Sequence, residues 1–227
     1  MQPSSKQAVK NYLAGRKFES VLDVPSGGGW LRDALAQHTP IDGIDLYVAE
    51  QDGYRKFWAH DLEDGLPEDC RDYDLICCCE GIEHVGSPLL LLRHFHKALR
   101  DNGTLIISTP NVWYPQARLQ YFLRGFFPSF PPLADKVKPG THMHITPWSI
   151  PQLYVYLKLA GFSAPKIVPE PGYRTRIHER VLQWPAKLYC RGKLRRAKND
   201  EERAYWEAAG SPESILSRHL IVAASKS

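Results

Sequence analysis

"VLDVPSGGGW" (residues 21–30) decides how the rest of the chain is read. A short apolar, β-branched run ends in an acid, Asp23, and three consecutive glycines follow before Trp30. The run reads as a strand buried in a covered sheet. A glycine-rich turn after such a strand is where α/β proteins hold small ligands, because glycine lets main chain approach a ligand closely. Three ligand classes compete for this turn. A triphosphate loop needs G-K-[S/T] at its end, and here the loop runs into Trp30 and Leu31 with no lysine. A dinucleotide turn needs G-x-G-x-x-G, and counting from Gly27 and Gly29 the third position is Arg32. The dinucleotide reading also leaves Asp23 without a role. The third class uses it: an acid at a strand tip can receive an amino group.

Two further acids extend the pattern outward. Asp45 lies 22 residues on, at the end of "IDGIDL" (41–46), where a carboxylate can accept from a ribose diol. Asp61 follows the strand within "YRKFWAHDL" (54–62), placed to meet an adenine amino group. Three acids at three strand ends favour a cationic ligand and repel pyrophosphate. S-adenosylmethionine, with its sulfonium, amine, ribose and adenine, meets all of these terms. Taken singly, Asp23 and Asp45 read equally well as helix-capping residues.

The surrounding chain alternates strands with helices. Helices are expected over 5–14, 29–38, 87–103 and 148–162, and strands over 20–24, 41–46, 54–62, 72–80, 104–110, 165–170 and 219–226. Continuous apolar runs at 21–24, 74–79 and 104–108 suit a parallel sheet covered on both sides, a doubly wound α/β fold. The 227 residues fit a single domain. Two segments interrupt the alternation: an aromatic, proline-rich insertion over about 111–147 and a basic one over about 171–217. The apolar fraction of 43% is enough for a globular core, and a net charge of +4 is too small to argue for nucleic acid. Five cysteines in no framework spacing read as reduced thiols of a cytoplasmic chain. Neighbours on a strand point to opposite faces, so Cys77, Cys78 and Cys79 read as buried filler rather than ligands of one ion. The opening residues show no leader pattern, and no window approaches the roughly 20 apolar residues of a membrane span.

Five motifs in order carry a family resemblance. "VLDVPSGGG", "IDGIDL", "HDLEDGLP", "YDLICCCEGIEHV" and "LRDNGTLIISTPN" resemble those of class I S-adenosylmethionine-dependent methyltransferases. "HITPWSIPQLYVYLKLAGF" resembles a tail of the subgroup that includes ubiquinone-pathway and sugar O-methyltransferases. The resemblance implies a Rossmann-like sheet of seven strands, order 3-2-1-4-5-7-6, with the last strand antiparallel. It implies that Asp23, Pro25, Ser26, Gly27, Gly29, Asp45, Leu46, Asp61, Leu62 and Glu80 meet the methyl donor. Pro25 stands where the family usually has its first glycine, and proline fixes φ and removes an N–H. That departure keeps a non-catalytic cofactor-binding module open as an alternative.

"EGIEHV" (80–85) holds the chemistry beside the donor. Glu80, Glu83 and His84 fall within one turn, on one face if helical. Two carboxylates and an imidazole can hold a divalent ion such as Mg²⁺, and a metal lowers the pKa of a hydroxyl acceptor. The resemblance adds His144 as a distal ligand, with His142 nearby, a set also like that of small-RNA 3′-terminal 2′-O-methyltransferases. Without a metal, His84 or His144 would act as general base, with Glu80 lining the methionine end of the donor. The acceptor side is less specified. Trp113, Tyr114, Tyr121, Phe122, Phe126, Phe127 and Phe130 either stack on a sugar or aromatic ring or pack a helix onto the sheet. "KLYCRGKLRRAK" (187–198) carries six basic residues and no acid. It reads as a solvated helix face, or, with the surrounding 182–198 stretch, as a peripheral membrane contact. The expected acceptor is a hydroxyl of a glycan, a lipid-linked sugar or a small metabolite, with RNA ribose as the alternative.

Overall fold

The computed structural model describes residues 1–36, 38–138, 143–172 and 175–226. Seven strands form one sheet: β1 (Val21–Asp23), β2 (Ile41–Asp45), β3 (Lys56–Ala59), β4 (Tyr73–Cys79), β5 (Leu99–Pro110), β6 (Lys166–Ile167) and β7 (His219–Ser225). Their order is β3-β2-β1-β4-β5-β7-β6. β1 to β5 pair in parallel, and β7 runs antiparallel between β5 and β6. This is the doubly wound sheet that the alternation and the motifs imply.

Both faces are covered, which is why the central strands are continuously apolar. Helices α2 (Pro88–Ala98) and α4 (Ile150–Leu159) bury Leu91, Phe95, Leu153 and Leu157 on one face with Trp148 and Cys78. Helix α1 (Pro3–Leu13) covers the other with Ala8, Val9 and Leu13, against Cys77 and Cys79. The cysteine triplet therefore divides between the two layers as strand alternation requires. All five cysteines are buried free thiols.

Two expected helices differ. The helix over 87–103 stops at Ala98, and β5 begins at Leu99 rather than at 104. Residues 99–103 bulge: Tyr73 pairs with Leu99 and Leu75 with Thr104, and Asn102 sits at φ +62. "RDNG" chemistry favours such a turn over another helical turn. Over 29–38 the helix is reduced to one 3-10 turn, Arg32–Ala34. Leu31 is fully buried, but Ala36 is exposed and Leu35 only half-buried, so the apolar spacing has no continuous face to pack. The insertions are helical. After β5 comes α3 (Pro115–Arg124), and between β6 and β7 lie α5 (Ile177–Leu182), α6 (Trp184–Leu194), α7 (Asp200–Ala209) and α8 (Pro212–Leu216).

One buried acid ties the N-terminal helix to the far end of the chain. Glu170 Oε1 accepts from Ser4 Oγ at 2.7 Å and Ser5 Oγ at 2.8 Å, and its Oε2 accepts from Ser217 Oγ at 2.7 Å. These three donors hold the Glu170 carboxyl below its usual pKa against the cost of burial. Glu170→Ala leaves buried hydroxyls unsatisfied, and a loss of about 1–3 kcal/mol in denaturant-measured stability is expected.

Candidate functional site

The carboxyl ends of β1, β2 and β4 open into a cavity of about 760 Å³, within the size range of cofactor sites. Ligands sit at this edge in open α/β sheets. Pro25, Ser26, Gly27, Gly28, Asp45, Leu46, Asp61, Leu62, Glu80, His84 and His144 all stand on its wall. Residues from the ends of β1, β2, β3 and β4 therefore meet in one place.

The glycine turn forms despite Pro25. Ser26 N donates to Ile44 O at 2.9 Å and Gly29 N to Ser26 O at 3.0 Å. Gly27 and Gly29 take φ +52 and +71, which only glycine adopts without strain. The proline ring is accommodated across the site by Gly81, where a Cβ would lie 2.4 Å from Pro25 Cδ. Asp45 clamps the turn: its Oδ2 accepts from Gly27 N at 2.9 Å and its Oδ1 from Tyr47 N at 2.8 Å. A carboxylate has about four acceptor sites, so Asp45 keeps capacity for a ligand. Asp61 caps the short turn Leu62–Asp64 by accepting from Glu63 N at 3.0 Å, while also facing the cavity. Ser26 Oγ is buried and makes no hydrogen bond among the described residues. An orphaned hydroxyl on the wall of a glycine-lined cavity fits a polar ligand.

Asp23 departs from the expected placement. It is not on the cavity wall but fully buried beneath the loop, where Tyr54 Oη donates to its Oδ2 at 2.6 Å. Burial pushes its pKa up to about 8; the Tyr54 hydrogen bond opposes the shift and Asp45 adds to it. Within the chain its Oδ2 is taken by Tyr54, and its Oδ1 makes no hydrogen bond among the described residues. The folded protein holds this proton between about pH 4 and 8 whereas the unfolded chain releases it. Stability therefore falls as pH rises through that window. Asp23→Asn is expected to flatten this slope, by up to about 1 kcal/mol per pH unit, in urea melts at pH 5 and pH 8. Gly29 also lies off the wall, its neighbour Gly28 taking the lining position.

Elsewhere on the wall stand His84 and His144, and Glu83, buried behind them, completes a set whose ligand atoms lie within 4.8 Å of one another. The main chain brings them together. Ile145 N and Thr146 N both donate to Glu83 O, at 2.9 and 3.0 Å, pinning the 143–146 segment against the 80–85 turn. His84 Nδ1 donates to Met143 O and His144 Nδ1 to Ser129 O, each at 2.7 Å. A carbonyl only accepts, so the proton sits on Nδ1 of both rings and Nε2 carries the lone pair in the neutral form. The rings lie 4.6 Å apart, edge to face. Glu83 is fully buried, its Oε2 accepting from Thr109 Oγ1 at 2.9 Å, while its Oε1 makes no hydrogen bond among the described residues and lies 4.0 Å from His84 Nε2. Burial, with Glu80 nearby, pushes the Glu83 pKa up to about 8. Glu80 is outside this cluster. Its Oε1 accepts from Ser108 Oγ at 2.9 Å, and its Oε2 lies 3.7 Å from His219 Nε2. His142 lies outside the described residues.

None of the seven aromatics of the first insertion reaches the cavity wall. Tyr114 and Phe130 are buried, Tyr121 stacks on Phe127 at 4.4 Å, and Phe130 packs 5.4 Å from the His144 ring. Packing is the role the structure gives the buried ones. Local pattern does not mark Lys6 or Trp30, which face the cavity with the Lys6 ammonium 5.6 Å from the Trp30 ring. Only the folding of α1 over the sheet edge brings Lys6 there. Among the described residues the wall carries Asp45, Asp61, Glu63 and Glu80 against a single lysine, Lys6, which suits a cationic ligand.

A family profile described as "Methyltransferase domain" matches residues 3–166. A ubiquinone biosynthesis O-methyltransferase of Pseudomonas syringae pv. tomato is 36% identical over 113 residues, 44% of this chain and 46% of that protein. The chain spans about half the length of the curated relatives it matches. Among solved structures, a SAM-dependent methyltransferase from Archaeoglobus fulgidus superposes with a TM-score of 0.55 at 15% identity, covering 97% of this chain and 94% of that one. The Burkholderia thailandensis 1,6-didemethyltoxoflavin-N1-methyltransferase, solved with S-adenosylhomocysteine, gives 0.52 at 16% identity, covering 98% and 77%. These two show a shared fold.

Proposed function

Because the chain belongs to the methyltransferase-domain family, we propose that it transfers a methyl group from S-adenosylmethionine to a hydroxyl oxygen. The acceptor is a small hydroxylated metabolite, a glycan or a lipid-linked sugar. The observation that carries this reading is that His84 and His144, backed by buried Glu83, stand on the wall of the same cavity that holds the glycine turn and Asp45.

Asp45 takes the ribose hydroxyls of the donor, and Asp61 with Leu62 takes the adenine. Ser26, Gly27 and Gly28 shape the turn around the donor's amino-acid end, and Glu80 bounds that end from β4. When bound, S-adenosylmethionine supplies an electrophilic methyl carbon: a C–O bond forms as the C–S bond breaks, its electron pair staying on sulfur. The chain holds the oxygen in line, and that placement supplies much of the rate. His84 or His144, unprotonated at Nε2, accepts the hydroxyl proton as the bond forms.

Glu83, His84 and His144 also fit a divalent ion. Each imidazole has its Nδ1–H anchored on a carbonyl, the arrangement that orients a ligating Nε2, and Glu83 Oε1 is an orphaned carboxylate oxygen in the same cluster. A metal held there would lower the pKa of the acceptor hydroxyl. One carboxylate and two imidazoles suit a first-row ion such as Mn²⁺ better than Mg²⁺, which prefers oxygen.

The test is radiolabelled methyl transfer to a panel of catechols, glycosides and polyprenyl-linked sugars, with amines as controls. Label recovered in an alkali-stable ether supports the reading. Label only in amines, or none across the panel from protein that binds S-adenosylhomocysteine, overturns it.

A further inference from the structure

We propose that the exposed face built by α3, α5 and α6 docks on an anionic lipid surface. α5 and α6 are joined by Gln183 alone, itself helical at φ −73 and ψ −26, so helical phase carries through. Ile177, Val181, Trp184 and Leu188 then fall at i, i+4, i+7 and i+11, one stripe along one side. Their exposures are 83, 65, 52 and 60%, values opposite to those of a stripe packed on a core. α3 lies alongside, Arg118 Nη2 donating to Leu182 O at 3.0 Å, and adds Phe122 at 84% and Leu123 at 67%. Such a contiguous apolar face on otherwise polar helices marks an interaction site.

Charge identifies the occupant. The stripe runs on into Arg191 and Arg195, and residues 184–198 hold six basic side chains, Lys187 among them, and no acid. Of the acids that follow on α7, Glu201 bonds Tyr154 and Lys158 of α4, Glu202 accepts from Lys198 N, and Glu207 shares a groove with Lys187 and Arg191, while Arg195 and Arg196 stay exposed. Apolar side chains beside a cation run are the composition of a helix lying in the plane of a lipid surface. A second copy docked by a twofold axis on this face would set two basic runs against each other. Nucleic acid would use the cations but has no use for Ile177, Val181, Leu123 and Leu188, which neither stack on bases nor bond to them. The position agrees. α3 follows β5 and α5 follows β6, so both leave the edge of the sheet on which the cavity opens. Phe130, just after α3, packs on His144 of the cavity wall. Docking would bring the cavity mouth to the headgroup layer. Among the described residues no helix is long and apolar enough to cross a membrane, so the contact is peripheral.

The experiment is flotation of the full chain with vesicles of phosphatidylcholine alone and of phosphatidylcholine with about one-third phosphatidylglycerol, read by the ratio of bound to free protein. That ratio is expected to rise about tenfold or more with the anionic lipid and to fall back in high salt. Ile177→Ser with Leu188→Ser, and separately Lys187→Glu with Arg191→Glu, are expected to abolish the gain. Ile177, Leu188 and Arg191 are exposed and Lys187 is half-buried, all far in sequence from the cavity-lining residues, so thermal melting and S-adenosylhomocysteine binding serve as unchanged controls. Absence of vesicle binding by the unmodified chain overturns the proposal. So does binding that neither variant weakens, a dimer that Ile177→Ser dissociates without any lipid binding, or tight binding to an RNA oligomer without binding to vesicles. The readout requires no turnover, so it stands or falls separately from the assignment of the acceptor.

Discussion

Asp45→Ala is expected to weaken S-adenosylhomocysteine binding by about a hundredfold, measured by calorimetric titration. Two effects combine. The carboxylate bonds Gly27 N and Tyr47 N, at 2.9 and 2.8 Å, and so fixes the glycine turn against the end of β2. It also faces the cavity with acceptor capacity left for a ribose diol. Hydrogen bonds to a charged group contribute about 1.5–3 kcal/mol each, and every 1.4 kcal/mol is tenfold in affinity. Removing two such hydrogen bonds without replacement reaches two orders of magnitude. Asp45→Asn, which retains one carbonyl oxygen, should fall between. An Asp45→Ala protein that melts normally and binds with unchanged affinity would remove the ribose assignment.

The second large effect is on turnover. His144→Ala is expected to lower kcat by about 10²–10⁴, the usual contribution of a positioned general base. S-adenosylhomocysteine affinity should change less than about twofold, because the donor's proposed partners lie on the strand-end turns. Phe130 packs on the His144 ring, so melting must be followed, and His144→Gln, closer in volume, separates packing from chemistry. Glu83→Gln is the companion. If the cluster holds an ion, calorimetry with Mn²⁺ detects binding to the unmodified chain and none to either variant, whatever the activity. Turnover unaffected by both substitutions would sink the acid–base role of the cluster.

Much of this is legible in the residues. Continuous apolar runs mark the buried strands, and the acids and glycines at their ends mark one edge of the sheet. Which way a strand-end side chain turns is less legible. Asp23 and Asp45 share the same local pattern, yet Asp45 reaches the cavity and Asp23 is sealed under Tyr54, a partner 31 residues away. Glu80 and Glu83 likewise separate, because a turn with Glu80 at φ +56 rather than a regular helix follows β4. His144 is visible as a motif residue. What places it is a pair of main-chain bonds to Glu83 O, a tertiary event with no local signature. Lys6 carries no signal at all. The stripe on α5 and α6 emerges only from the nearly continuous helix through Gln183, since its i, i+4, i+7 register spans what reads as two segments.

The single turn after the glycines has an electrical consequence. Aligned peptide dipoles along a full helix place a partial positive charge at its N-terminus, and that charge draws pyrophosphate to a strand–turn–helix site. Arg32–Ala34 is one 3-10 turn and cannot sum such a dipole. The crevice above Gly27 and Gly28 therefore answers mainly to the carboxylates around it, and its field is tilted against phosphates. The short turn and the carboxylates then act together, and a sulfonium nucleoside is the ligand such a field favours over a dinucleotide.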